Sequence, residues 1–217
     1  MLKSLQNSPS NGNVHLDCTI VALSYRGFWT SKGRPSQRGI ELDAQAALNW
    51  VQKEYSGPTN DVRLVLWGQS IGAGVATGVA AQHVQTKPTA EHHLPISGLI
   101  LETPFVSVRN MLVALYPQKW LPYRYLWPFL RNWWDSEAAL RSIAGLTTSE
   151  KFPVLIVAAG RDEVVPPEQA DQLERLCGSL GLRVERRDVP GALHTEAMAR
   201  QEGRGVVVEF LRRVGSS

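Results

Sequence analysis

The sequence predicts an α/β fold, a mostly parallel sheet covered by helices. Two patterns point there. Strand-length apolar runs alternate with segments whose apolar residues recur at helical spacing. One such run also passes through Gly68-Gln69-Ser70-Ile71-Gly72 directly into a helix-like segment. The 217 residues suit one domain, and 43% hydrophobic against 20% charged residues is too apolar for a disordered chain. Lys and Arg exceed Asp and Glu by only three, spread along the chain, which argues against a nucleic-acid partner. No run approaches the roughly 18 apolar residues of a membrane span. No signal peptide is read behind Lys3. The two cysteines, Cys18 and Cys177, lie in apolar runs and are expected to be buried free thiols, which leans towards an intracellular setting.

Taken in order, residues 1–13 are polar and rich in Ser, Asn, Gln, Gly and Pro, and read as a disordered lead-in to a domain spanning 14–217. Thr19–Tyr25 is apolar and β-branched, a strand candidate. Gly39–Tyr55 places Ile40, Ala44, Ala47, Leu48 and Val51 at helical spacing. Val62–Trp67 alternates little, which predicts a strand buried on both faces. Ile71–Gln85 is rich in small residues and helical. Ile96–Leu101 and Val154–Ala159 read as buried strands. Pro167–Leu176 reads as a helix with proline in its first turn. Leu182–Val189 predicts a strand with one charged face, and Val206–Val214 a final helix. The stretch from about 105 to 146 breaks this rhythm. It holds Trp120, Trp127, Trp133 and Trp134, four of the seven tryptophans, and is cut by Pro117, Pro122 and Pro128. It predicts a lid of short helices, either lining an apolar acyl pocket or burying its aromatics on the core.

The chemistry centres on Ser70. The G-x-S-x-G spacing is what a serine needs on a tight strand-to-helix turn. The serine takes a strained backbone, and the flanking glycines let neighbouring chain pass closely. Its hydroxyl then stands at a helix N-terminus, where the Ile71 amide can donate to a developing oxyanion. A serine hydroxyl is a weak nucleophile without a base, and the base needs an orienting acid. Of the five histidines, His15 precedes the turn, His83 is late on the following helix, and His92 and His93 lie in a polar loop. His194 alone follows the last strand candidate. Asp162 directly follows the Val154–Ala159 run, where functional loops of α/β sheets gather. Glu163 and Asp188 are weaker candidates for the acid.

Taken together, these segments resemble a known family. Gly68–Ala73, Ser24–Phe28, Gly33–Ser36, Asp43–Leu48, Ile100–Phe105 and Gly160–Pro167 together look like the α/β-hydrolase superfamily. Within it they look most like the bud-emergence protein group and the alpha/beta-hydrolase domain-containing protein 13 group. The resemblance runs from about Ile20 to Val214. It implies an α/β-hydrolase three-layer sandwich with a lid, Ser70, Asp162 and His194 as a triad, and Ile71 as one oxyanion donor. Trp120, Trp127, Phe129 and Trp133 are the candidate substrate contacts. Two departures stand out. No His-Gly dipeptide occurs, so the strand that would supply the second oxyanion amide is not recognised, and the chain looks shortened relative to the family. Thr195 follows His194 where the family often has Asn.

The expected activity is hydrolysis of carboxylic esters or thioesters through an acyl-enzyme at Ser70. Small or lipid-like acyl compounds and acylated proteins are the expected substrates, with no metal or organic cofactor and no nucleic acid. The expected location is cytoplasmic or membrane-associated, the membrane link coming only from the resemblance. Two rivals remain. One is a binding protein that keeps the triad but lacks a working oxyanion hole. The other is a serine aminopeptidase, which would need Glu102, Asp135 and Glu137 to converge on a substrate ammonium group.

Overall fold

A computed structural model of the chain describes residues 17–57, 62–86, 94–115, 132–146 and 152–216. The lead-in 1–13 and the lid residues Trp120, Trp127 and Phe129 lie outside them. The element order is α1 (Gln37–Tyr55), β1 (Leu64–Gln69), α2 (Ile71–Gln85), β2 (Ile96–Glu102), α3 (Val108–Leu115), α4 (Ser136–Leu146), β3 (Pro153–Ala159), α5 (Pro167–Ser179), β4 (Arg183–Val189), a 3₁₀ turn (Ala197–Ala199) and α6 (Gln201–Gly215). Among the described residues four strands form one sheet in the order β1-β2-β3-β4, every pair parallel.

Strand alternation sorts the core onto two faces. Leu99, Leu101, Val154 and Ile156 pack with Ala80 of α2, Leu140 and Ile143 of α4, and Leu173 and Cys177 of α5. Ile100, Leu155 and Val157 face the other way, against Val207, Phe210 and Val214 of α6. α1 packs through Ile40 and Leu48 on Val75 and Val79 of α2. Its N-terminus is capped by Ser36, whose hydroxyl accepts the Gly39 N–H at 3.2 Å. The loop ahead of it is tied down by Arg26, whose guanidinium and backbone N–H both donate to Asp43. α5 and β4 are joined by Arg186, which pairs with Asp171, Glu174 and Asp188.

Three expectations change. Thr19–Tyr25 is not a strand: only Thr19 makes an isolated bridge, and Ile20, Val21 and Leu23 are exposed. A β-branched run becomes a strand only where a neighbour completes its ladder, so propensity alone was insufficient. The Val62–Trp67 run forms β1, but not with both faces buried. β1 is an edge of the described sheet, and Trp67 is 43% exposed. Cys18 is half-buried rather than buried, although both cysteines are free. The lid region contributes α3 and α4. Trp134 is buried against Val75, Phe105 and Val165, so it serves the core, whereas Trp133 is exposed. No helix among the described residues is long and apolar enough to cross a membrane.

Cys177 is fully buried, and burial pushes its thiol up to about 12. The unfolded thiol ionises near 9.0. The stability this group contributes is therefore complete below pH 9 and falls as pH rises towards 12, by about 1.4 kcal/mol per pH unit. The expected outcome with a disulfide reagent at pH 8 is that Cys177 stays unmodified in the folded protein and reacts on unfolding. Rapid modification of folded protein at Cys177 would contradict its placement.

Candidate active site

Ser70 occupies the junction of β1 and α2 with φ 53° and ψ −117°, a backbone conformation that a non-glycine residue adopts only when its surroundings impose it. Its N–H donates to the Glu102 carbonyl of β2 at 2.8 Å, and its carbonyl accepts the Ala73 N–H at 3.0 Å. A Cβ on Gly68 would lie 2.0 Å from the Gly72 carbonyl oxygen, so the turn closes only because Gly68 has no side chain. Gly72 differs from expectation: a Cβ there would meet nothing within 4 Å. Although Ser70 stands at the N-cap of α2, its hydroxyl makes no capping bond. Ile71 opens α2, so its N–H is among those no intrahelical carbonyl accepts.

Asp162 and His194 meet. The carboxylate oxygens of Asp162 lie 3.0 and 2.9 Å from His194 Nδ1, and the two side chains are only 7% and 9% exposed. Asp162 Oδ1 also accepts the N–H groups of Val164 and Val165, which fixes the carboxylate in its turn. The His194 loop is held at several points. Gly160 N–H donates to the Val189 carbonyl and Arg161 N–H to that of Ala192. Arg200 donates to the Gly191 carbonyl and to Glu196, and Glu196 accepts the Leu193 N–H. Those contacts hold the Glu196 carboxyl below its ordinary value, the Leu193 amide contributing most. Asp162 thus presents imidazole Nδ1 with an acceptor and leaves Nε2 for chemistry. No hydrogen bond joins Ser70 Oγ to His194 among the described residues. Gln69, the residue before Ser70, donates through Nε2 to the His194 carbonyl at 3.5 Å.

The other candidates have separate duties. Glu163 accepts the His194 backbone N–H at 2.9 Å. Asp188 pairs with Arg186. His83 is buried beside Gln52 and the Leu94 carbonyl. The three carboxylates of the aminopeptidase alternative each have their own partners or setting. Asp135 caps the start of α4 through the Ala138 N–H, Glu137 pairs with Arg141, and Glu102 is buried at the end of β2. Glu102, expected only as a possible ammonium ligand, takes part in the hydrogen bonding beside Ser70. Trp67 Nε1 donates to it at 3.2 Å and Gln69 Nε2 at 3.1 Å. Burial pushes its carboxyl up, opposed by the Trp67 bond, the Met198 backbone N–H, the His194 charge and the Gln69 bond.

No protein-family model matches the chain. It is 33% identical over 164 residues to Protein bem46 of Schizosaccharomyces pombe, covering 76% of this chain and 48% of that protein. It is 34% identical over 152 residues to Lysophosphatidylserine lipase ABHD12 of Danio rerio, covering 68% of this chain and 36% of that protein. The chain therefore spans about half or less of the length of these relatives. Among solved structures it resembles an alpha-beta hydrolase from Vibrio vulnificus, with a TM-score of 0.67 and 19% identity over 89% of this chain and 63% of that one.

Proposed function

The chain belongs to the α/β-hydrolase family that includes Protein bem46, and from that premise we propose that it is a serine hydrolase of carboxylic esters or thioesters. One observation carries the reading: an uncapped serine in a strained strand-to-helix turn shares the carboxyl edge of the sheet with a buried Asp–His pair. In the proposed reaction Ser70 Oγ attacks the acyl carbon while His194 Nε2 takes its proton. Asp162 holds the imidazole tautomer and stabilises the imidazolium. The oxyanion is met by the Ile71 N–H at the positive end of α2. His194 then returns the proton to the leaving alcohol or thiol, and water repeats the sequence on the acyl-enzyme. The link from Ser70 to His194 would close on substrate binding, since such bonds tighten in the reacting complex.

The surroundings favour an apolar acyl group. Ile71, Val164 and Leu193 are all exposed, and each lies within two residues of Ser70, Asp162 or His194. Trp133 adds an exposed indole from the lid region. The relative named as a lysophosphatidylserine lipase acts on a lipid ester, which agrees with that rim. Acylated proteins and a membrane surface are further candidate partners of the same chemistry. The test is covalent labelling by a fluorophosphonate, with the adduct mapped by mass spectrometry. Labelling at Ser70, absent in Ser70→Ala, is expected. Labelling that persists in Ser70→Ala would assign the nucleophile elsewhere, and none in either protein would favour a binding role.

A further inference from the structure

Glu102 ends β2, between the strands that carry the two halves of the site. Its backbone carbonyl accepts the Ser70 N–H at 2.8 Å. Its carboxylate accepts from two residues of β1 that flank Gly68, Trp67 at 3.2 Å and Gln69 at 3.1 Å. Gln69 Nε2, held by that carboxylate, also reaches the His194 carbonyl at 3.5 Å. Through Gln69, one side chain thus joins the strand leading into Ser70 to the His194 loop. The residue is only 4% exposed.

A buried carboxylate is costly unless its oxygens are well satisfied, and an apolar residue at the end of a buried strand would serve packing better. Two donors gathered by one carboxylate, one of them shared with the His194 loop, fit a different task. We propose that Glu102 is a positioning residue, a strut that sets the distance between the Ser70 turn and the His194 segment. The inference rests on the hydrolase reading of the site. Its chemical sense is that proton transfer between serine and histidine tolerates little misplacement, an error of about 1 Å costing roughly a hundredfold in rate.

Glu102→Gln tests this without changing side-chain volume. The amide keeps one acceptor oxygen but turns an NH₂ group towards a donor. Expected is amide hydrogen exchange at least tenfold faster at Ser70 and His194, with Val154–Val157 of β3 unchanged. Fluorophosphonate labelling of Ser70 should slow at least tenfold, and ester turnover should lose kcat with KM within twofold. Gln69→Ala, at an exposed position, removes one donor without threatening the fold and should speed exchange at Ser70 and His194 at least threefold. Exchange at wild-type rates in both variants would overturn the proposal. So would equal acceleration of the β3 amides, which signals general destabilisation. If the unsubstituted protein never reacts with the fluorophosphonate, the hydrolase reading fails, while the exchange pattern still decides whether Glu102 fixes the two segments.

Discussion

Asp162→Asn is expected to lower ester turnover by about 10³–10⁴-fold while the protein stays folded. The carboxylate has two jobs within one short turn. It accepts from the Val164 and Val165 N–H groups, and it lies within 3.0 Å of His194 Nδ1 through both oxygens. An asparagine of the same shape can keep the turn through its carbonyl oxygen. Its NH₂ group would then face Nδ1, which must give up its proton to accept it. The protonated nitrogen becomes Nε2, and the atom that should take the Ser70 proton can no longer do so. The loss should therefore fall on kcat, with KM little changed and thermal stability within a few degrees. A variant with wild-type kcat would remove Asp162 from the mechanism. The same readout separates it from Glu163, whose carboxylate holds only the backbone N–H of His194.

Gly68→Ala should be the most damaging single-methyl change in the Ser70 turn, by more than about 3 kcal/mol. Overpacking ordinarily costs about 1–3 kcal/mol because neighbours can shift. Here the added carbon would sit 2.0 Å from the Gly72 carbonyl oxygen and 2.5 Å from the Ala73 nitrogen, both backbone atoms of the first turn of α2. They cannot move without opening the turn that holds Ser70 at φ 53°. Gly72→Ala is the control. Its Cβ would have no neighbour within 4 Å, and alanine favours a helix over glycine by about 1 kcal/mol. Denaturant unfolding should show a large loss for the first variant and little change or a slight gain for the second. Equal behaviour would mean that the close approach at Gly68 is absent in solution.

Asp162 and His194 could be read from the sequence because each follows an apolar run whose end is marked, by Gly160 and by Pro190-Gly191. The chemistry then needed only chain order. The span of α2 was equally legible, since small residues recur from Gly72 to Ala81 directly after the Ser70 turn. What was illegible depended on neighbours. The apolar residues of β1 look like those of a central strand, and only the sheet order reveals an edge. Thr19–Tyr25 has strand composition without a ladder to join. Glu102 drew attention only as a possible ammonium ligand. Its donors come from Trp67 and Gln69, and no local pattern links positions so far apart. Glu163 was weighed as an acid on position alone, and its backbone role became visible only when the His194 loop folded over it.

The order of the strands also bears on how the molecule comes into being. β1, β2, β3 and β4 stand side by side in the order in which a ribosome releases them, so none has to be inserted between two others. The sheet can grow sideways by accretion as the chain emerges, N-terminal parts first. The turn at Ser70 can close as soon as β2 delivers the Glu102 carbonyl. His194 follows the last strand and arrives only when the sheet is otherwise finished. A nascent chain halted before β4 would carry Ser70 without His194, the base of the proposed mechanism. Birth order thus keeps Ser70 and His194 apart until the strands between them have formed.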